Sequence, residues 1–208
     1  MKREGRGQAC DVSADSLPLF GAGGFRAFEM HAEDVPALQR FIDANPEYYL
    51  AVTGEAPGDR EAQEQFHDAP PADWPHTKLW PIRFVNEGGS MVAMAHLVSD
   101  LLAPGVWHIG LFIVATSLHG SGAAQAMYGQ LEAWTRAQGA QWLRLGVVAG
   151  NARAERFWAR AGYAEVRNRG GIRLGTRTHT VRVMVKPLAG GTLPQYLARV
   201  VRDRPGQP

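Results

Sequence analysis

The amino-acid sequence predicts a single α/β domain, and three observations lead there. The chain has 208 residues, enough for one domain that buries its own core. An apolar run, Ile109 to Ala115, turns through His119-Gly120-Ser121-Gly122-Ala123-Ala124 into a long helix-patterned segment. A second apolar run, Trp142 to Val148, leads through Asn151 into a shorter helical segment. Composition agrees, with 45% apolar and 20% charged residues. A net charge of +2 is too small to argue for a nucleic-acid partner. Cys10 is the only cysteine, so no intrachain disulfide forms. No apolar run approaches a membrane span, and the N-terminus lacks the apolar core of a secretory signal. A cytoplasmic protein with no membrane partner is the expectation.

Taken in order, residues 1–22 read as a loosely ordered lead, and Gly21-Ala22-Gly23-Gly24 as its flexible end. Phe25 to Met30 forms a first strand. Asp34 caps a helix bearing Val35, Leu38, Phe41 and Ile42, with Pro36 tolerated in its first turn. A polar, proline-bearing stretch from Pro46 to Pro75 holds a second helix around Arg60 to His67. Leu79 to Asn86 and Ser90 to Ser99, joined by Glu87-Gly88-Gly89, read as an antiparallel hairpin. Asp100 to Gly105 turns into the strand Trp107 to Val114, where Gly110 marks a bulge or a close backbone approach. Beyond the glycine turn, Ala124, Met127, Leu131 and Trp134 recur at helical spacing until Gly139 closes the helix. Asn151 then caps a helix carrying Ala154, Phe157, Trp158 and Ala161, which Gly162 ends. Glu165 to Arg169, a turn at Gly170-Gly171 and a last strand, Thr180 to Val185, complete the domain. In residues 188–208, Leu193, Leu197, Val200 and Val201 share one helical face. That extension docks on its own domain, pairs across a homodimer, or frays.

The glycine turn carries chemistry. A strand that passes through glycines into a helix N-terminus leaves backbone N–H groups unpaired, and the helix dipole adds partial positive charge. Such a site suits a phosphate; two glycines that merely cap a turn are the plainer alternative. It is not a P-loop, because Ala123-Ala124 stands where Lys-Ser/Thr is required. Nor is it a dinucleotide fingerprint, because Gln125 holds the place of the third small residue. Metal catalysis and serine hydrolysis find no support, since neither a His-Glu-x-x-His nor a Gly-x-Ser-x-Gly pattern occurs.

The arrangement resembles the GNAT superfamily of acyl-CoA-dependent N-acetyltransferases. His119, Gly122 and Ala124 match its Gln/Arg-x-x-Gly-x-Gly/Ala signature, with His119 departing from the usual first residue. Asn151 to Tyr163 looks like the family's Asn-x-x-Ala-x-x-Phe-Tyr-x-x-x-Gly-Phe pattern. The resemblance is close from Trp107 to Tyr163, and the domain it implies covers residues 23–187. It implies a mixed, mostly antiparallel sheet of about six to seven strands flanked by about four helices, with strands splayed after Val114. Acetyl-CoA would be the cosubstrate, with no metal. His119, Gly120, Ser121, Gly122, Ala123 and Ala124 would hold its pyrophosphate. The backbone of Phe112 and Val114, the side chain of Asn151 and the ring of Trp158 would meet its pantetheine arm. Asn151 has the second reading of helix cap, and the two are compatible. Arg153, Arg156 and Arg160 either line a solvated face or reach a cofactor phosphate. Residues 46–75 would cover the acceptor site, so Tyr48, Tyr49, Trp74 and His76 bear on the substrate or else pack a small core.

The implied reaction is acetyl transfer from acetyl-CoA to a primary amine of a small molecule, by direct attack in a ternary complex. It needs a neutral amine, a stabilised oxyanion and a proton for the leaving thiolate. Many members carry a glutamate base where His108 stands here, and histidine titrates in a suitable range. A strand histidine bonded to a neighbour is the other reading of His108. Trp158 replaces the family's tyrosine acid, and an indole gives no proton to a thiolate. Tyr163, Tyr128 or water would then serve. Otherwise the chain is a non-catalytic acyl-CoA-binding sensor or interaction module. A protein N-acetyltransferase is the remaining alternative.

Overall fold

In a computed structural model that describes residues 17–206, the strands are β1 (Phe20–Ala22), β2 (Phe25–Glu29), β3 (Lys78–Asn86), β4 (Met91–Ser99), β5 (Val106–Val114), β6 (Trp142–Val148), β7 (Ala164–Leu174) and β8 (Arg177–Pro187). The helices are α1 (Val35–Asp43), α2 (Glu47–Val52), α3 (Glu61–His67), α4 (Ala123–Ala137), α5 (Ala152–Arg160) and α6 (Leu193–Arg199). The strands form one sheet in the order β1-β2-β3-β4-β5-β6-β8-β7. Every neighbouring pair is antiparallel except β5 and β6, which run parallel. The expected mixed, mostly antiparallel α/β sheet is therefore present, with eight strands rather than six or seven and six α-helices rather than about four among the described residues.

The additions have local causes. Gly23 and Gly24, at φ 63° and 82°, make the two-residue left-handed turn that suits a hairpin's twist. That turn joins β1 to β2, so Phe20–Ala22 leave the expected lead and pair with Phe25–Ala27. Residues 1–16 of that lead, Cys10 among them, lie outside the described residues. α2 has only six residues after Pro46, too few for apolar periodicity to show. Gly170 and Gly171 do not turn the chain either. They sit inside β7 at a register shift, and the turn falls at Gly175-Thr176. Pro81 survives in an interior strand because β2 ends beside it. Its carbonyl accepts from Met30 N at 2.7 Å, and its missing N–H would have faced past that end.

One sheet face packs Trp107, Ile109, Leu143 and Leu145 against Met127, Leu131, Trp134 and Trp158 of α4 and α5. The opposite face is divided. Over β4 and β5, Met94, Leu111 and Ile113 pack against Leu38, Phe41, Ile42, Tyr49 and Ala62 of α1–α3. Over the start of β5 and over β6 and β8, Val106, Trp142 and Val185 pack against Tyr196 and Val200 of the C-terminal extension. That extension therefore docks on its own sheet, with Tyr196 as its main anchor and Val201 left exposed. The apolar face read as an alternative route to a homodimer is spent there.

Candidate active site

β5 and β6 begin side by side and then part. Their ladder runs from Val106↔Trp142 to Ile109↔Leu145 and stops, although both strands continue. The splay thus starts after Ile109, earlier than the expected Val114. Gly110 causes it: β4 pairs Leu97 with Ile109 and His96 with Leu111, leaving Gly110 as the extra residue of a bulge. Beyond the bulge, Ala115 N donates to Val92 O on β4 at 2.8 Å. Antiparallel backbone groups alternate in direction, so Ile113 and Leu111 also face β4. Phe112 and Val114 turn their backbone groups the other way, into the gap left by β6.

One of those groups is already used. His119 Nε2 donates to the Val114 carbonyl at 2.9 Å, which ties the loop to the strand edge. The first residue of the glycine motif acts through its side chain on β5, and Val114 keeps only its N–H for a ligand. Thr116 steadies the same connection from the other side. Its N–H donates to Asn45 Oδ1 and its hydroxyl to Glu47 Oε2, both at 2.7 Å.

The loop then enters α4 through left-handed glycines. Gly120 and Gly122 have φ of 80° and 87°, and Gly122 is the N-cap of α4. Among the described residues, chain neighbours aside, no atom lies within 4 Å of the Cβ that either would carry, so a side chain there would project into open space over the loop. Ser121 Oγ donates to Leu118 O at 2.7 Å and accepts from Ala123 N at 3.2 Å. The amides of Gly120, Gly122, Ala124 and Gln125 donate to no group among the described residues. Open space, free amides and a helix N-terminus together fit an anion such as a pyrophosphate.

Asn151 Oδ1 accepts from Ala154 N at 3.1 Å, so the helix-cap reading holds and the amide –NH2 stays free. Gly139 and Gly162, at φ 95° and 92°, close α4 and α5 with paired bonds, Ala140 N to Thr135 O and Tyr163 N to Trp158 O among them. Trp158 is buried, edge-on to the rings of Tyr128 and Tyr163 with centroids 5.3 Å away in each case. Tyr128 donates to the Tyr163 hydroxyl at 3.2 Å, and burial pushes both phenols above their ordinary pKa. A phenol weakened in this way is a poorer proton source for a thiolate than free tyrosine, so neither is set up as the acid.

On the opposite face, His108 lies across from Arg144 in the parallel ladder. Its Nδ1 is 3.0 Å from the Arg144 carbonyl and 3.3 Å from Arg144 Nη1. Burial first, and the Arg144 charge second, push its pKa down to about 3. That imidazole stays neutral, and it accepts a proton only reluctantly; the strand-histidine reading describes it better than that of a base. Arg144 in turn grips Asp203, from Nε to Oδ2 at 2.7 Å and from Nη2 to Oδ1 at 3.2 Å. Tyr196 also donates to Asp203 Oδ2, at 2.5 Å. Sequence reasoning missed this network, whose members are far apart in the chain.

It also missed His96. This residue sits in β4, 4% exposed, and its Nε2 has no partner among the described residues. Its signal was present as the lone polar ring in the run Met91 to Val98. Of the acceptor-side aromatics, Tyr49 is buried with an unpaired hydroxyl and Trp74 stacks under Arg202, 3.7 Å away. His76 bonds the Trp74 carbonyl at 2.9 Å and is exposed. Arg153, Arg156 and Arg160 are exposed on α5. Among the described residues no cluster of His, Cys, Asp and Glu could hold a metal, and no helix is long and apolar enough to cross a membrane.

Comparison with known proteins agrees with this geometry. The fold is similar to that of a spermidine N-acetyltransferase from Vibrio cholerae in complex with CoA and spermine, at TM-score 0.61 and 13% identity, covering 79% of this chain and 95% of that one. It is also similar to the ribosomal-protein-S18-alanine N-acetyltransferase of Escherichia coli, at TM-score 0.58 and 17% identity, covering 81% and 98%. An acetyltransferase from Thermus thermophilus gives TM-score 0.61 at 18% identity, covering 83% and 100%. No curated protein matches by sequence. Residues 38–163 match the profile of the acetyltransferase (GNAT) family, from the core of α1 through both glycine-bearing motifs to Tyr163. The chain belongs to that family, and is an acyltransferase.

Proposed function

We propose that the protein transfers an acetyl group from acetyl-CoA to a primary amine of a small molecule, by direct attack within a ternary complex. The observation that carries this is the unpaired edge of β5 beyond Ile109, lying next to the glycine loop of α4. The edge presents the backbone of Phe112 and the N–H of Val114. The loop presents the amides of Gly120, Gly122, Ala124 and Gln125. An extended, amide-bearing arm that ends in a pyrophosphate matches both halves, and Asn151 offers a side-chain amide to the same arm. Acetyl-CoA has that form and supplies the activated acetyl group as a thioester.

An arm held on the α4 side and threaded through the gap brings its acyl end to the opposite face. That end lies between the α1–α3 cluster and the C-terminal extension. The described residues contain no cysteine, which favours direct attack over a covalent acyl-enzyme.

A small acceptor is favoured over a protein because the β7–β8 hairpin fastens onto α2. Arg177 Nη1 donates to Ala51 O at 2.8 Å, Thr176 N to Thr53 O at 3.2 Å, and His179 Nε2 to Val52 O at 2.7 Å. These bonds also satisfy carbonyls at the end of α2, so the closure is part of the fold. One observation favours a second reading, a non-catalytic acyl-CoA-binding module: Trp158 gives the thiolate no proton.

Calorimetric titration with acetyl-CoA and CoA, followed by thiol release over a panel of small amines including spermidine, tests both. Binding with release establishes the transferase. Binding without release from any amine supports the non-catalytic module, and failure to bind removes both readings.

A further inference from the structure

The acceptor face holds a buried polar group that packing does not explain. His96 follows Met94 on the same side of β4, and its cross-strand partner is Leu111. Met94 and Leu111 belong to the apolar cluster under α1–α3, which also contains Tyr49. Two buried polar atoms on this one face, His96 Nε2 and Tyr49 Oη, have no partner among the described residues. A buried donor or acceptor left unmade destabilises a fold, so a pair of them on one face calls for a ligand or a function.

The position of His96 supplies the function. It stands at the Gly110 bulge, where the β5–β6 gap opens. A Cβ on Gly110 would lie 3.9 Å from His96 Nδ1, so the glycine is the ring's immediate neighbour. Gly110 is exposed while the ring is buried. The Nδ1 side of the ring thus faces an exposed glycine at the start of the gap, with no side chain at position 110 to cover it. His108, on the adjacent strand, has Arg144 on its Nδ1, whereas the ring of His96 has no hydrogen-bond partner among the described residues. The groups around His96 are mixed in sign: Asp68 after α3 acts on its charge, and His96 acts on that of His108. Tyr49 of α2 belongs to the apolar cluster on that face, with Glu61 of α3 acting on it, and Arg144 acts on His108.

We infer that Nδ1 of His96, the ring nitrogen beside Gly110, accepts the proton of the acceptor ammonium, with the Tyr49 hydroxyl as a second polar anchor on the same face. This rests on the acetyl-CoA-dependent reading above. The ammonium gives one proton to Nδ1, while Nε2 keeps its own. The free amine nitrogen then forms a bond to the acetyl carbon as the carbon–sulfur bond breaks. The second nitrogen proton goes to the departing thiolate, and the imidazolium returns its own to solvent. Amide and thiol are the products, and no further reactant is needed. Burial keeps the His96 imidazole neutral near pH 7, which is the form that accepts a proton. Asp68 offsets part of the cost of the imidazolium that forms.

The test compares the unaltered protein with His96→Gln and His96→Phe on spermidine, histamine and phenethylamine. Acetyl-CoA affinity by calorimetry and Tm are measured in parallel. The expected result is a fall in kcat of about 100-fold with loss of the acid limb of the pH–rate profile. Acetyl-CoA affinity should stay within about threefold, and Tm should be unchanged or raised. The acid limb of the unaltered enzyme should coincide with the His96 titration followed by NMR, a readout that needs no variant to fold. An acid limb that persists in His96→Gln, or a kinetic pKa that departs from the NMR value, overturns the assignment. So does acetyl-CoA binding with no thiol release from any amine, which leaves cofactor binding intact. Failure of the unaltered protein to bind acetyl-CoA overturns the parent reading instead.

Discussion

The two sides of the sheet meet at the gap between β5 and β6, and they are made of different materials. On the α4 side the site is backbone: the free edge of Phe112 and Val114, and amides released by left-handed Gly120 and Gly122. On the other side it is side chains: His96 from β4, His108 from β5, Arg144 from β6, Tyr49 from α2, and Asp203 from the extreme end of the described chain. On the proposed function, the backbone side meets what every acyl-CoA shares, an amide-bearing arm and a pyrophosphate. A side-chain site can be altered one residue at a time without disturbing the first. Cofactor binding and acceptor choice are thereby separable, and the separation can be attacked from either side.

The largest effect should come from the backbone side. Gly122→Glu places a carboxylate over the free amides and a side chain on a left-handed residue. Acetyl-CoA affinity should fall at least about 100-fold, since a like charge opposes the pyrophosphate while the donors are covered. Gly122→Ala carries the backbone strain alone, about 1–2 kcal/mol. Calorimetry that finds the Glu variant binding as tightly as the Ala variant would remove the loop from the site.

On the side-chain side the corresponding change is Asp203→Ala, which acts on stability instead of affinity. Asp203 is fully buried among Arg144, Arg169 and Tyr196, so its loss leaves the Arg144 guanidinium unpaired in the interior. Breaking such a pair costs about 3–5 kcal/mol, read by urea denaturation, while acetyl-CoA affinity should change by less than about threefold. Burial raises the carboxyl's pKa, but the Arg144 and Tyr196 hydrogen bonds outweigh it and hold the carboxyl below its usual value. A depressed folded pKa contributes stability that is complete above the unfolded carboxylate value, roughly pH 4, and fades as pH falls through the folded one. The stability gap between the parent and Asp203→Ala should therefore shrink below about pH 4. A gap constant down to pH 2 would mean that the charge of Asp203 is not what stabilises the extension.

This contrast also explains what the sequence disclosed. Gly139, Gly162, Gly110 and Asn151 act on backbone within a few residues of themselves, so their spacing announced two helix ends, a bulge and a cap. Gly23-Gly24 carried equal information, but a strand as short as Phe20–Ala22 gave the turn nothing visible to join. Gly170-Gly171 misled because glycine serves bulges as well as turns. Arg144 and Asp203 are 59 residues apart, and nothing local ties them. His119 matched the motif by position, yet its side chain bonds Val114, a use that spacing does not reveal. His108 shows the same limit more sharply. It occupies the place of a base, but burial first, and Arg144 on another strand second, keep it neutral.

A milder test therefore concerns His108. Gln replaces the ring while keeping a hydrogen-bonding group beside the Arg144 carbonyl. The expected change in kcat is severalfold, from a less constrained Arg144, and the acid limb of the pH–rate profile should survive. A flat acid side in His108→Gln would return the proton acceptor to His108 despite its low basicity.

The smallest effect lies on the boundary, at Asn151, whose side chain caps α5 and is proposed to meet the ligand as well. Its Oδ1 caps α5 through Ala154 N, and its –NH2 faces no described partner. Asn151→Ala removes both functions and should cost about 1 kcal/mol of stability together with a severalfold loss in acetyl-CoA affinity. Asn151→Ser keeps an oxygen for the cap, carries no charge and lacks the amide donor. If the amide meets the pantetheine arm, Ser should restore the stability but not the affinity. If both return together, Asn151 acts on the ligand only by holding the start of α5 in place, and the backbone side of the site is backbone throughout.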